Sequence, residues 1–347
     1  LPLLGRYVHI CSQFGLAMMV DLSTSFAGLT LQSPLILGSS GLTRNVDRTC
    51  ALVEAGVGAV ILKSLFEEQI EAQGDLLMAG ASDYPEAEDY VRAYVRANGR
   101  EEYLQLIRDS KAACHVIPVI ASVNCYRADT WADFAAEIER AGADALELNV
   151  FYLDTDIHSD SREVLRHYSS ILKDVRSRIS IPIIMKIGKG FSTIPAFVNR
   201  LQGFGANAVV LFNRYYRPDI DIERCRIVAA PPFSDPSELG DTLRWTAIVS
   251  GALPDMPIAA STGVHTWQDA IKCILAGASA VQLCSTLYKH GAKVIPEMIT
   301  QIADWMERTK YESVEEFRGR LSLSNAADAS MYERTQFMKY ISSRETI

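Results

Sequence analysis

The sequence lacks several features that would point to particular functions. It has no Cys-x-x-Cys pair, although it holds seven cysteines: Cys11, Cys50, Cys114, Cys125, Cys225, Cys273 and Cys284. An odd number of scattered thiols excludes a disulfide framework and fits reduced thiols in the cytoplasm. The six histidines show no metal-ligand spacing, so no metal site is expected. No apolar run approaches the ~20 residues of a membrane span. Basic residues are not in excess: 34 Lys and Arg face 42 Asp and Glu, a formal charge of −8. That balance argues for solubility and against a nucleic-acid surface. No Gly-x-Gly-x-x-Gly follows an early strand, which weakens an open dinucleotide-binding sheet.

The sequence is rich in short apolar runs of Val, Ile and Leu, too short for helices. They are 34–38, 59–63, 117–123, 145–150, 182–187, 208–213, 258–261 and 280–284. Each reads as a strand buried on both faces. Amphipathic stretches of helical period lie between most of them, clearest at 46–55, 130–141, 163–178, 194–204 and 266–276. Asp129 and Ser192 sit where N-caps are expected, and Gly56, Gly142, Gly205 and Gly277 sit near helix ends. Eight strands with intervening helices predict an α/β fold, a (β/α)8 TIM barrel, over 20–322. Asp21–Leu31, with Gly28 at its turn, predicts a hairpin closing the barrel bottom. Residues 67–100, helical around 87–97, and 214–240 are long strand-end insertions of the kind that cover active sites. Residues 1–19 read as an extension, or as a start placed too early with Met18 or Met19 as the alternative; a docked arm is the other option. Residues 323–347 read as a helical appendage.

In such a barrel, chemistry sits where strands end. The ends here carry Ser39-Ser40-Gly41, Lys63-Ser64, Asn124, Asn149, Lys186, Asn213, Thr262-Gly263 and Cys284-Ser285. One such residue alone would be an edge residue reaching water; two lysines and three amides facing one mouth predict a site. Lys186 suits holding negative charge on a ligand, or a Schiff base. The small residues at 262–263 and 284–285 suit a phosphate, though they also suit any tight turn.

These residues carry a resemblance. Glu147-Leu-Asn149 is similar to the start of the Glu-Leu-Asn-Leu-Ser-Cys-Pro-Asn signature of dihydroorotate dehydrogenases, flavin enzymes of pyrimidine biosynthesis. Leu37-Gly-Ser-Ser-Gly41 resembles the family's flavin loop, and Ile61-Leu-Lys63-Ser64 its Thr-Lys-Ser motif. Met185-Lys186, Asn213, Ser261-Thr-Gly263 and Val281-Gln-Leu-Cys-Ser285 match its later strand ends in order. The resemblance covers about 20–322 and is nearest the cytosolic, dimeric class. It implies FMN, with Ser40, Gly41, Lys63, Ser64, Asn149 and Lys186 around the ring and ribityl chain, and Gly263, Cys284 and Ser285 at the phosphate. It implies hydride transfer from a dihydropyrimidine-like substrate to flavin N5, with Asn149 and Asn213 contacting that substrate. It also implies a homodimer.

The match stops after Asn149. Tyr152 stands at the family's catalytic cysteine position and Asp154 at a substrate-binding asparagine; Leu76–Pro85 replaces the Met-Gly-Leu-Pro-Asn loop, and Arg214 follows Asn213 where a small residue is usual. Candidate bases are Tyr152, Cys125 and Asp154, with Lys63 also among the catalytic candidates. Tyr152 reads equally as an aromatic lid, and Cys125 as an inert loop thiol. The substrate half of the site is expected to be rebuilt, so that dihydroorotate is a poor substrate unless Arg214 or Lys63 neutralises Asp154. A flavin-binding redox partner and a flavin-free aldolase-type lyase using Lys186 remain the alternatives.

Overall fold

The structure is a computed structural model describing residues 6–8, 19–66, 85–125, 131–215 and 217–334; for 6–8, 19, 85–98 and 125 it describes the backbone. Eight parallel strands close into a barrel: β1 Leu35–Leu37, β2 Ala59–Ile61, β3 Val119–Cys125, β4 Ala145–Val150, β5 Ile183–Ile187, β6 Ala208–Leu211, β7 Ile258–Ser261 and β8 Ala280–Leu283. Each pairs with its sequence neighbour, and β8 pairs with β1. Seven lie within the apolar runs read from sequence, and β3 runs two residues past its run of 117–123. Burial on both faces explains those runs: one face packs against the helices and the other fills the barrel.

The helices form where the 3.6-residue period predicted them, at Val46–Glu54, Trp131–Arg140, Ser161–Arg176, Ile194–Gly203 and Trp267–Ala276. Gly56, Gly142, Gly205 and Gly277 have φ of +98° to +119°, the left-handed turn from helix to strand that side chains resist. The N-cap of Ile194–Gly203 is Thr193 rather than Ser192, with no side-chain cap. Asp129 lies outside the described residues. The helix expected around 87–97 runs from Pro85 to Ala113, because Tyr103, Leu104 and Ile107 continue its apolar face into the core. Residues 67–84 lie outside the described residues.

Thr24–Phe26 and Leu29–Leu31 form the expected hairpin, with Ala27 (φ 54°) and Gly28 (φ 80°) turning it. Phe26 and Leu31 are fully buried among Ile36, Ile61, Ile120 and Ile184 on the inner barrel face. Burial of each such side chain contributes about 1.5–3 kcal/mol, which anchors the hairpin as a plug. Arg6–Val8 pairs antiparallel with Met19–Asp21. Pro218–Asp221 and Arg226–Ala229 form a second hairpin within the 214–240 insertion. Beyond residue 322, Ser330–Glu333 is a short helix.

Candidate active site

Side chains alternate along a strand, so every second residue enters the barrel. Along β4 the inward positions are Ala145, Glu147 and Asn149; along β5 they are Ile184 and Lys186; along β8, Ala280, Gln282 and then Cys284. The interior thus changes from apolar at the strand N-termini to polar at the C-termini. One network joins the polar layer. Lys186 Nζ donates to Gln282 Oε1 at 3.1 Å and lies 3.6 Å from Glu147 Oε1. Gln282 Nε2 donates to Glu147 Oε2 at 3.0 Å, and Ser122 Oγ donates to Glu147 Oε1 at 3.0 Å. A carboxylate only accepts, so the proton order of the hydroxyl chain follows: Ser39 donates to Ser64 (2.9 Å), and Ser64 to Ser122 (2.8 Å). Tyr103, on the long helix, receives the Ser122 N–H at 2.7 Å and donates to its carbonyl. The Glu147 side chain is completely buried and that of Lys186 is 9% exposed. A buried ammonium is tolerable only with such a partner.

Lys63 follows β2, half-buried, with its ammonium 4.2 Å above the Phe66 ring. Burial lowers its pKa from the ordinary lysine range; the nearby Cys284 thiol opposes this, and Arg44 and Lys186 reinforce it. Burial pushes the Cys284 thiol up, against the opposing pull of Lys186, the Ser40 hydroxyl and Lys63. Lys63, Lys186 and Ser40 therefore all act on the Cys284 thiol. Ser40 caps the turn at Gly41–Thr43, and a side chain at Gly41 would come within 2.8 Å of the Tyr288 hydroxyl. Asn213 Nδ2 donates to Asn149 Oδ1 at 2.7 Å, joining the β4 and β6 ends.

Two cavities open at this mouth. One, of about 160 Å³, is lined by Lys186, Gln282, Gly263, Cys284, Ser285 and Ser234, among others. The other, of about 540 Å³, is lined by Phe151, Tyr152, Asp154, Tyr168, Phe191 and Tyr215, with Lys189 and Arg217. Asn213, Arg214 and Thr262 belong to both. Gly263 (φ +86°) passes so close to the Leu239 backbone that a Cβ would lie 2.3 Å from its nitrogen. Thr262 holds φ +80°, a strained conformation for a β-branched residue, between these cavities. The 214–240 insertion is pinned over the mouth: Ser234 N donates to Ser285 Oγ at 2.9 Å, and Lys289 Nζ donates to the Ser234 carbonyl at 3.0 Å.

In the larger cavity, Tyr152 stacks on His167 at 4.4 Å, and its hydroxyl lies 3.4 Å from Asp154 Oδ2. Asp154 also accepts the Asp156 N–H at 3.0 Å. A hydrogen bond from the Ser159 hydroxyl, then that N–H, hold its carboxyl below the usual carboxylate range. Arg214 does not neutralise it. Arg214 pairs with Glu238 at 3.2 Å and donates to the carbonyls of Pro231 and Pro232. Lys63 is turned to Phe66 instead. Tyr215 packs its hydroxyl onto Gly188, where a Cβ would sit 2.0 Å away. Of the candidate Cys125, the strand backbone is described and the side chain is not.

The structure thus gathers Ser40, Gly41, Lys63, Ser64, Asn149, Lys186, Asn213, Gly263, Cys284 and Ser285 at one mouth, with Tyr152 and Asp154 beside them. The candidates drawn from the sequence leave out Glu147, Gln282 and Ser122. Their signal was the two-residue alternation: Glu147 and Gln282 lie two positions before Asn149 and Cys284 on the same inward face. They also leave out Tyr168 and Tyr215, which carry no local signal, since only packing brings a helix residue and a loop residue together.

The dihydroorotate dehydrogenase family model matches residues 21–306. The catalytic subunit of dihydroorotate dehydrogenase B (NAD(+)) from Thermoplasma volcanium is 28% identical over 312 residues, 87% of this chain and 98% of that one. The Pyrococcus furiosus protein of the same name is 27% identical, over 84% of this chain and 96% of its own. The NAD-dependent dihydropyrimidine dehydrogenase subunit PreA of Escherichia coli is 20% identical, over 91% and 80%. With a family match spanning most of the barrel and the polar strand ends converging on one mouth, the chain belongs to the dihydroorotate dehydrogenase family of oxidoreductases acting on CH–CH groups.

Proposed function

We propose that this protein is an FMN-dependent dehydrogenase that oxidises a dihydropyrimidine-like ring other than dihydroorotate. The carrying observation is Lys186, buried beneath the mouth and fixed by Glu147 and Gln282. The donor set fits an anionic, polyhydroxylated group: Lys63 and Lys186 supply charge, Ser40, Ser64 and Ser285 supply hydroxyls, and Gly263 lines the smaller cavity. Lys63 and Lys186 would hold the ring, Gly263, Cys284 and Ser285 the phosphate. FMN, when bound, supplies a hydride acceptor at N5. Lys63 and Lys186 would supply the positive charge that offsets the negative charge of reduction. Asn149 and Asn213, mutually bonded, orient the substrate amide groups. Tyr152 takes the substrate proton on its hydroxyl oxygen as its own proton passes to Asp154 Oδ2 along the hydrogen bond between them. The aromatic walls exclude water from the reacting bond.

The aldolase-type reading is disfavoured on two grounds. Lys186 Nζ is engaged by Gln282 at 3.1 Å and by Glu147 at 3.6 Å, so it is not free to attack a carbonyl. The family also favours oxidation and reduction. A dihydropyrimidine substrate is supported by the name of the Escherichia coli relative.

The test is absorbance of the purified protein, then anaerobic reduction with a panel of dihydropyrimidines and other cyclic imides. A yellow protein bleached by at least one of them is expected. Lys186→Ala is expected to weaken FMN binding by about 10–100-fold, the worth of a charged hydrogen bond. A colourless protein that FMN cannot reconstitute overturns the reading.

We also infer a homodimer. The insertion hairpin presents Ile220, Ile222 and Ile227, each at least 67% exposed. Such apolar edges are normally covered. Sedimentation at micromolar concentration should give twice the chain mass, and a lone monomer contradicts the inference.

A further inference from the structure

We propose that Cys50 and Cys114 form an oxidation-sensitive thiol pair, a modification site at the barrel end opposite the mouth. Cys50 lies on the helix Val46–Glu54, and Cys114 directly follows the helix Pro85–Ala113. Their sulfurs are 3.6 Å apart, in contact. A disulfide needs about 2.05 Å, so a shift of roughly 1.5 Å closes the bond. Neither thiol belongs to the polar network of the mouth.

A second observation gives the pair access to solutes. Cys50 lines a cavity of about 580 Å³, together with Gln32, Ser33, Glu54 and His115. Ser33 precedes β1 and Cys114 precedes β3, which places this cavity at the strand N-termini. Cys114 is 1% exposed and lies behind Cys50. Burial, followed by the bond to Cys50, also pushes the Cys114 thiol up to about 12. The order of events follows from access. The Cys50 thiol gives up its proton as its sulfur attacks a peroxide oxygen, the O–O bond breaks, and the departing hydroxide takes that proton to leave as water, giving a sulfenic acid on Cys50. The Cys114 sulfur then displaces the sulfenic oxygen, its proton leaving with that oxygen as a second water. Two thiols are oxidised by two electrons in total, and one peroxide is reduced to two waters.

The pair differs from the other described cysteines. Cys225 is exposed, and its sulfur lies 3.7 Å from the Ile222 carbonyl. Cys273 is fully buried. Among the described residues the thiol pair in contact is Cys50 with Cys114, so oxidation at Cys50 closes there, whereas Cys225 has no described thiol against it.

The experiment treats the full chain with a few equivalents of hydrogen peroxide, counts free thiols, and maps peptides without reduction. The expected result is a Cys50–Cys114 cross-linked peptide, a mass lower by about 2 Da, and full reversal by dithiothreitol. Cys50→Ser and Cys114→Ser each remove the cross-link, while Cys225→Ser leaves it intact. A Cys50 that proceeds to sulfinic acid with Cys114 still reduced overturns the proposal. So does a chain in which Cys225 is oxidised and both Cys50 and Cys114 remain free. Both readings come from the unaltered protein, so a variant that fails to fold does not protect the idea.

Discussion

The polar network beneath the mouth is carried by strands, whereas the aromatic cavity beside it is carried by loops and helices. Glu147, Lys186, Gln282 and Ser122 project from β4, β5, β8 and β3 at positions set by the barrel's hydrogen-bond register, so Lys186 lies opposite Asn149 and Ser122 opposite Glu147. Tyr152, Tyr168, Phe191 and Tyr215 come from segments that follow the strands. They meet through ring contacts such as Tyr168 with Phe191 at 5.5 Å and Phe151 with Tyr215 at 4.4 Å. A strand-borne group cannot change without disturbing its neighbours in the layer. A loop-borne ring can be exchanged at little cost to the barrel. The difference would let the strand-borne region hold its pattern while the loop-borne one changes, as the sequence reading expects at Tyr152 and Asp154.

The sharpest way to break the strand-borne half is to remove Glu147. Glu147→Leu leaves the Lys186 ammonium buried without a counter-charge, at an expected cost of about 3–5 kcal/mol. Urea unfolding of the cofactor-free protein measures this. The double variant Glu147→Leu with Lys186→Met should recover most of the loss, since neither charge then remains buried. A single variant less than about 1 kcal/mol below the parent would show that the pair carries no such strain.

The same contrast decides what the sequence reveals. All eight strands were legible, because two-sided burial forces uninterrupted apolar runs with a polar residue at the end. Lys63, Asn149, Lys186 and Asn213 were legible as polar strand ends converging on the mouth for the same reason. Glu147 was harder: a carboxylate inside an apolar strand reads as an exception until its partners on β3, β5 and β8 are known, and those lie 25 to 135 residues away. The full length of the helix to Ala113 was missed because its polar first half masks the apolar face that Tyr103 and Ile107 continue. The contacts among Tyr168, Tyr215 and Gly188 had no signature at all.

In the loop-borne half, Tyr152→Phe keeps the stack on His167 and removes only the hydroxyl. If Tyr152 is the proton acceptor, kcat on the best panel substrate falls by about 10²–10⁴-fold, with KM nearly unchanged. Tyr168→Phe, whose hydroxyl donates to the Val150 carbonyl at 3.0 Å, should lose less than about tenfold. Equal losses from the two variants would make Tyr152 a wall rather than a base.

The smallest expected effect concerns Asp154, and it separates charge from shape in that same cavity. Dihydroorotate carries a carboxylate, and two like charges meeting at the rim repel, a handicap of roughly fivefold in kcat/KM in a wet site. Asp154→Asn should raise kcat/KM for dihydroorotate relative to that for a neutral dihydropyrimidine by about that factor, since any loss in the proton step is common to both substrates. The pH dependence sharpens the test. Hydrogen bonds from Ser159 and the Asp156 N–H hold the Asp154 carboxyl below its usual range, favouring the charged form. Protonation therefore begins only at pH values below those at which an ordinary aspartate titrates, near 4. Acidifying from pH 7 to 5 should leave the handicap of dihydroorotate relative to the neutral substrate unchanged in the parent. A ratio that improves steadily over that interval would assign the discrimination to a group other than Asp154. No gain in Asp154→Asn would assign it to the shape of the aromatic walls.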